Sequence, residues 1–335
     1  MISHVLDIVR RLPAWSGSPR PQYAEHLQRR QVAEVIQEIA PEAFVVAKGF
    51  MNSTVVISHK PESIWQYANP LHMARNLWAY RDLLRQFTRR EVLGRYKGSY
   101  LGILWSFLTP FLMLAVYTFV FSVVFGARWG NSPSESRVEF ALTLFCGLIA
   151  FNVFSECISR APGLIVGNPN YVKRVVFPLE ILPVSVLGAA LIQSLINVVI
   201  VVVGILIFMR TLSWTLVCLP LAYLPLVGLC LGLGWFLASL GVFIRDIGYV
   251  IGIAVQVLFF VTPIFYPISA VPPFFQLVLR LNPLTAVVED FRRVMIWGQP
   301  PDWLWWGVAT IVSALAMVAG YTWFMKLKRA FADVV

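Results

Sequence analysis

The sequence predicts an all-α membrane protein: six transmembrane helices, an N-terminal amphipathic interface helix, and short re-entrant or outer gate helices between spans five and six. Three observations predict it. The chain is 58% hydrophobic and only 13% charged, with mean hydropathy +0.72, whereas soluble domains carry about 25% charged residues. Apolar runs of bilayer length recur after residue 100. The segment before them is basic and has helical periodicity.

Residues 1–73 read as an N-terminal cytoplasmic extension. Gln28–Ile39 has a weak helical pattern, and Phe44–Ile57 fits either a strand or a short buried helix. The early arginines are not followed by an apolar core of about 7–15 residues with a small-residue cleavage site, so no secretory signal is read there. Met51 offers an internal start that would keep every membrane element; an extra cytoplasmic element is the preferred reading of residues 1–50.

Residues 74–100 carry the interface helix. Leu77, Tyr80, Leu84 and Phe87 recur at helical spacing, while Arg75, Arg81, Asp82, Arg85, Gln86, Arg89 and Arg90 take the other positions. Such a helix lies in a membrane interface with its basic face toward water. It runs through Arg95, Tyr96 and Lys97 into the first span.

Residues 101–330 hold the six spans, at roughly 103–126, 140–159, 179–209, 214–240, 248–268 and 304–325. The third is too long for a simple crossing, and Pro178 and Pro183 predict a kinked or interfacial start. Pro263 and Pro267 predict a distorted end to the fifth. Between spans five and six, Phe274–Leu281 and Leu284–Trp297 read as two helices too short to cross. Trp297, Trp303, Trp305 and Trp306 fall where an outer aromatic belt belongs. Residues 331–335 are a cytoplasmic tail.

Charge sets the orientation. With the N-terminus inside, 21 of the 27 Lys and Arg fall on the cytoplasmic side, seven of them between Arg75 and Lys97. The positive-inside rule then places both termini in the cytoplasm. The net charge of +10 serves topology and anionic lipid, and no nucleic-acid motif accompanies it.

Several chemistries are disfavoured. The spans hold almost no ionisable groups, Glu156 and Glu180 near predicted inner ends excepted, which argues against an ion-coupled carrier and against a membrane-embedded transferase. His4, His26, His59 and His72 show no metal-ligand spacing, and Cys146, Cys157, Cys218 and Cys230 sit in apolar segments as packing residues. No G-x-x-x-x-G-K-[ST] loop occurs, so ATP, if used, binds another polypeptide.

Two groups of residues invite a role. The loop 162–178 combines Asn168, Pro169, Asn170, Tyr171, Lys173, Arg174 and Phe177; it suits docking on a soluble partner, or Lys173 and Arg174 merely enforce topology. Aromatic residues are frequent within the spans. Most fit as packing, but aromatic faces also stack on sugar rings, so Trp105, Tyr117, Phe119, Phe151, Phe154, Phe265 and Tyr266 are candidate channel aromatics.

Taken together, these pieces resemble the membrane subunit of ABC type-2 polysaccharide exporters, in the O-antigen and teichoic-acid branch. The residues that carry the resemblance are Arg81-Asp82-Leu83, Arg95-Tyr96-Lys97-x-Ser99-x-Leu101-Gly102-x-Leu104-Trp105 and Tyr117-x-Phe119-x-Phe121. Further on they are Asn168-Pro169-x-Tyr171-Val172-Lys173-Arg174, Phe177-Pro178, Arg245-Asp246, Thr262-Pro263-Ile264-Phe265-Tyr266-Pro267 and Asn282-Pro283-Leu284. The similarity runs in order over about residues 74–330.

The resemblance implies a homodimer bound to two copies of a separate ATPase, in a bacterial inner membrane, exporting a polysaccharide on an undecaprenyl-diphosphate carrier. It implies no cofactor on this chain, ATP and Mg belonging to the ATPase. Arg81, Asp82, Arg85 and Arg89 on the interface helix, Asn168, Tyr171, Lys173 and Arg174 in the loop, and the Arg245-Asp246 turn would contact that ATPase. Segments 271–281 and 284–297 would be gate helices near the exit. Arg95, Tyr96 and Lys97 would either meet the lipid diphosphate or anchor to anionic headgroups. A permease for teichoic acid or capsule, or for drugs or other small lipids, is the alternative. Residues 1–70 have no counterpart in the resemblance.

Overall fold

A computed structural model describes residues 69–95, 100–124, 126, 129, 137–173, 177–210 and 212–334. The patterns at Gln28–Ile39 and Phe44–Ile57 lie outside the described residues, as do Tyr96, Lys97 and Arg174. Among the described residues the structure is helical, with no strand.

The predicted interface helix is two helices. α1 (Pro70–Ala79) begins with Pro70 in the first turn and with the Asn69 side chain accepting from the Leu71 amide at 2.9 Å, a good start because proline lacks a donor the first turn cannot use. It stops at Tyr80, whose φ of −98° and ψ of 15° leave the helical region. α2 (Arg81–Gly94) then starts afresh, the Leu84 amide donating to the Tyr80 carbonyl at 2.9 Å.

A 3₁₀ turn at Gly102–Leu104 leads into α3 (Trp105–Tyr117), which widens into π-helix over Thr118–Val124. α4 (Arg137–Arg160) follows, then a loop carrying a single helical turn at Pro169–Val172. α5 (Ile181–Gly204) continues as π-helix through Met209. Its expected early kink is absent: Pro178 precedes the helix and Pro183 lies in the first turn, where no intrahelical donor is lost. α6 (Leu219–Phe243) and α7 (Ile247–Val261) flank the Arg245-Asp246 turn. α8 (Pro273–Leu281), α9 (Pro283–Met295) and α10 (Trp303–Leu327) complete the set. The expected tail continues the helical run through a 3₁₀ turn at Lys328–Ala330 into a last turn at Phe331–Val334, with Phe331 buried against Phe243 and Phe324.

Among the described residues, five helical runs are long and apolar enough to cross a membrane: Trp105–Val124, Arg137–Gly163, Ile181–Met209, Trp214–Phe243 and Trp303–Val334. The sequence predicts six. The difference is α7, whose 15 residues rise about 22 Å, short of a hydrocarbon core of about 30 Å. Pro263 ends it, since the residue before proline is pushed out of the helical region, and Thr262 is extended at φ −69° and ψ 134°.

α4 sits at the centre. Buried residues from Phe140 to Ile158 line most of its circumference, and it packs on α5, α9, α6 and α7. α6 and α10 form the most extensive helix pair, and small residues explain it. A Cβ on Gly320 would lie 2.0 Å from the Gly232 carbonyl oxygen, and one on Gly232 would lie 2.4 Å from the Ala316 backbone. Close backbone approach of this kind is how helices gain packing where lipid removes the hydrophobic drive between them. α3 and α7 instead leave apolar faces uncovered in the single chain, including Phe111, Leu112 and Val116 on α3 and Ile253, Val257 and Phe260 on α7.

Candidate functional site

The chemistry-bearing residues gather at the two ends of the bundle. At one end α1 and α2 lie against the starts and ends of α4, α5 and α10, and a carboxylate ties them together. Glu180, whose side chain is 3% exposed, accepts from Asn76 Nδ2 of α1 at 3.1 Å and from Lys328 Nζ beyond α10 at 2.6 Å. Asn76 also donates to the Tyr321 hydroxyl at 2.9 Å, and Trp235 Nε1 donates to the Glu180 carbonyl oxygen at 2.9 Å. One acid thus joins α1, α5, α6 and α10. A buried carboxylate needs such partners to stay charged. Outside the spans, Tyr80 feels the same group: partial burial first, and then the Glu180 charge, raise its phenol above the usual range.

α2 docks by three kinds of contact. Thr88 fits against Gly188 of α5, where an added Cβ would meet the Thr88 side chain at 2.9 Å. Glu91 accepts from Arg160 at 2.5 Å, Arg160 also lies 3.5 Å from Glu156, and Arg95 pairs with Glu156. The third contact holds the loop: Arg90 donates to the Tyr171 hydroxyl at 2.5 Å. Its guanidinium lies over the Phe87 and Tyr171 rings at 5.5 and 5.9 Å. Tyr171 stacks on Phe177 at 4.5 Å, and Phe87 meets both edge-on or tilted. Arg90 therefore clamps the 168–173 loop to α2 through charge and aromatic faces at once.

The structure brings the sequence-selected residues together unequally. Arg81, Asp82, Arg85 and Arg89 are exposed along α2, and Arg245 and Asp246 are exposed at the α6–α7 turn. Asn168 donates to the Leu164 carbonyl oxygen at 2.9 Å, Tyr171 sits in the aromatic cluster, and Lys173 is exposed. Arg95 is engaged by Glu156. The candidate channel aromatics separate into two groups. Phe151, Phe154 and Phe265 are buried within the chain, and Tyr117 and Tyr266 are half-buried. Trp105 of α3 and Phe119 of its π-helical continuation are exposed. Tyr117, Phe121, Phe259 and Phe265 form one cluster with Phe151: Phe121 stacks on Phe265 at 4.4 Å, and Phe151 meets Phe259 at 5.1 Å. Tyr266 instead caps α7, donating to the Val261 carbonyl oxygen at 2.9 Å.

Asn76, Phe87, Arg90, Glu91, Glu156, Arg160, Glu180, Tyr321 and Lys328 also build this site and are not among the sequence-selected residues. A carboxylate at the edge of an apolar run was the available signal for Glu156 and Glu180; nothing in the spacing identifies partners up to 245 residues apart, as Asn76 and Tyr321 are.

At the opposite end, α9 is fixed by Arg292, which is fully buried. It donates to the carbonyl oxygens of Pro263 at 2.7 Å, Ile264 at 2.8 Å and Thr143 at 3.2 Å, and pairs with Glu289 at 2.8 Å. Its guanidinium lies 4.0 Å from the Trp129 ring centroid. Only a planar cation with five donors fills such a pocket. Arg292 thus joins α9, α4 and the turn after α7.

The family described as ABC-2 type transporter matches residues 82–296. The chain is 27% identical over 267 residues to the O-antigen export system permease protein RfbA of Myxococcus xanthus, covering 79% of this chain and 100% of that one. The RfbA protein of Klebsiella pneumoniae is 26% identical over 267 residues, covering 79% and 99%. The polysialic acid transport protein KpsM of Escherichia coli is 27% identical over 245 residues, covering 71% and 88%. A family match spanning most of the chain, from α2 to the end of α9, places this protein in the ABC-2 type transporter family.

Proposed function

We propose that this chain is the permease subunit of an ATP-driven exporter of lipid-linked polysaccharide, with O-antigen the preferred cargo. The observation that carries the reading is collinearity: relatives named for O-antigen export align over nearly their whole length. Relatives named for polysialic acid and capsule export align over less of this chain, 71% and 72%, so capsule is the second reading.

Two copies of this chain work with two copies of a separate ATPase, which supplies ATP and Mg. Both termini face the cytoplasm of a bacterial inner-membrane protein, and α7 with the turn after it completes a sixth crossing. α8 and α9 then lie at the outer exit as gate helices. The uncovered apolar faces of α3 and α7 suit a second copy across a shared conduit.

The mechanism follows from the links at the α1–α2 end. Closure of the ATPase dimer pushes α2, the 168–173 loop and the 245–246 turn. The Arg90–Tyr171 clamp makes α2 and the loop one body. The Glu91–Arg160 and Arg95–Glu156 pairs pass displacement to α4, and Glu180 passes it to α5, α6 and α10. Helices packed this tightly move as rigid bodies rather than deform. Arg95 and Lys97 precede the first span in sequence, where a lipid diphosphate or anionic headgroups would meet them; Glu156 already neutralises part of Arg95. The test is reconstitution with the proposed partner ATPase in proteoliposomes. The reading expects ATP hydrolysis to rise when undecaprenyl-diphosphate-linked polymer is added, and an unchanged rate with every such polymer would contradict it.

A further inference from the structure

A cavity of about 290 Å³ opens at the α8–α9 end, among Trp129, Trp297, Trp305, Arg280, Asp290 and Asp302, with Thr285, Glu289 and Arg293 also at its wall. This is near the small end of the range of about 300–1,000 Å³ for small-molecule sites. Its wall is unlike the rest of the bundle, because three indoles and five charged groups converge there.

Two polar groups in the wall lack a protein partner. Asp290 is 1% exposed; its Oδ1 accepts from the Asp302 amide at 2.9 Å, but its Oδ2 has no hydrogen-bond partner. The Thr285 hydroxyl, 2% exposed, has none either. Buried polar atoms are normally satisfied, so a pair of orphans at one cavity asks for a ligand that brings hydroxyl donors and acceptors.

The neighbouring groups narrow the chemistry. Arg293 is occupied, donating from Nε to the Pro300 carbonyl oxygen at 2.9 Å, and Arg280 lies over Trp305 at 5.8 Å. The remaining charges are three carboxylates, Glu289, Asp290 and Asp302. Glu289 is paired with Arg292, so Asp290 and Asp302 face Arg280 and Arg293 and leave the wall without the positive excess that a phosphate or an acidic headgroup requires. Burial lifts the Asp290 carboxyl to about 7, against the Asp302 amide and Arg293, which favour its charge, and with Asp302 and Glu289, which oppose it. A carboxyl poised there can accept or donate. Indole faces bind the C–H surface of a ring, and carboxylates bind its hydroxyls.

We infer that this cavity, framed by α8, α9 and the start of α10, is a binding site for a single neutral sugar unit, contacted through the Trp297 ring and the Asp290 and Thr285 oxygens, Trp129 being covered by Arg292 and Trp305 by Arg280. The inference rests on the exporter reading for its physiological meaning: the site would hold the leading sugar of the polymer at the exit and bias it outward.

The test uses the full chain in lipid nanodiscs and saturation-transfer NMR. The probes are D-glucose, D-galactose, D-mannose and N-acetyl-D-glucosamine, with glycerol 3-phosphate as the anionic comparison. Asp290→Asn keeps the Oδ1 acceptor for the Asp302 amide and turns the free acceptor into a donor; Thr285→Val removes the hydroxyl at constant shape; Trp297→Ala removes one ring face. The inference expects transfer to at least one sugar, weakened about tenfold by each change. Transfer equal in parent and variants, transfer to no sugar, or binding of glycerol 3-phosphate alone would overturn it. Its failure and that of the exporter reading are separable. Loss of surface glycan on gene deletion without sugar binding sinks only the cavity, whereas sugar binding with surface glycan intact on deletion sinks only the exporter.

Discussion

Glu180 concentrates more structural consequence than any other single residue at the α1–α2 end. It is almost fully buried and satisfies Asn76 and Lys328 at once. Removing one partner of a buried charge pair costs more than the pair contributes, because the survivor stays desolvated. Lys328 keeps some exposure, 27%, which softens the loss. Glu180→Ala should therefore destabilise the chain by about 2 kcal/mol, read as a lowered melting temperature in detergent. The Glu180→Ala, Lys328→Met double variant should recover part of that loss, and no recovery would mean the pair is not coupled. Asp290 gives a second prediction at this scale. Its carboxyl is raised from 3.8 to about 7 on folding, so between those values the folded chain holds a proton that the unfolded chain has released. Stability from this group is therefore full below about pH 4 and falls as pH rises to 7, levelling above it. Asp290→Asn should remove that slope, leaving the variant more stable than the parent at pH 8 by on the order of 4 kcal/mol, and close to it at pH 4. Melting curves at the two pH values decide it, and an equal difference at both would contradict the assignment.

At the scale of elements, the α6–α10 pair has the tightest geometry. Gly320→Ala would place a methyl group about 2.0 Å from the Gly232 carbonyl oxygen, and backbone on both sides cannot yield as a flexible side chain can. The helices must part, at a cost of about 1–3 kcal/mol or more. Gly248→Ala is the matched control: it also lies in a helix, nothing is within 4 Å of its would-be Cβ, and it should be neutral or raise stability by up to about 1 kcal/mol. Equal melting shifts for the two would refute the close-packing account. The same elements show what a sequence discloses. Apolar length located α3, α4, α5, α6 and α10, and two runs too short to cross, Phe274–Leu281 and Leu284–Trp297, located α8 and α9, because those signals are local. The break at Tyr80 and the full shortness of α7 were less legible. Tyr80 continues the helical spacing of Leu77 and Leu84, and the apolar run through Phe265 hides the point where Pro263 stops the helix. The network around Glu180 and the Arg292 anchor were illegible for another reason: their partners are distant in sequence and include backbone carbonyls, which leave no mark on composition.

At the scale of the whole molecule, the two polar ends and the apolar middle make one arrangement. One end carries the exposed basic face of α2, the Arg90-clamped loop and the 245–246 turn; the other carries α8, α9 and the indole-lined cavity; the helices between them are packed tightly enough to connect the two. Family membership fixes the class of machine, and the proposal of polysaccharide export gives each end its task. The most direct measurement is the fate of lipid-linked glycan in cells that lack this chain. The account predicts that surface polysaccharide disappears while undecaprenyl-diphosphate-linked polymer accumulates on the cytoplasmic side, and that a plasmid copy of the gene reverses both. Surface glycan at its normal level, with no internal accumulation, would contradict it.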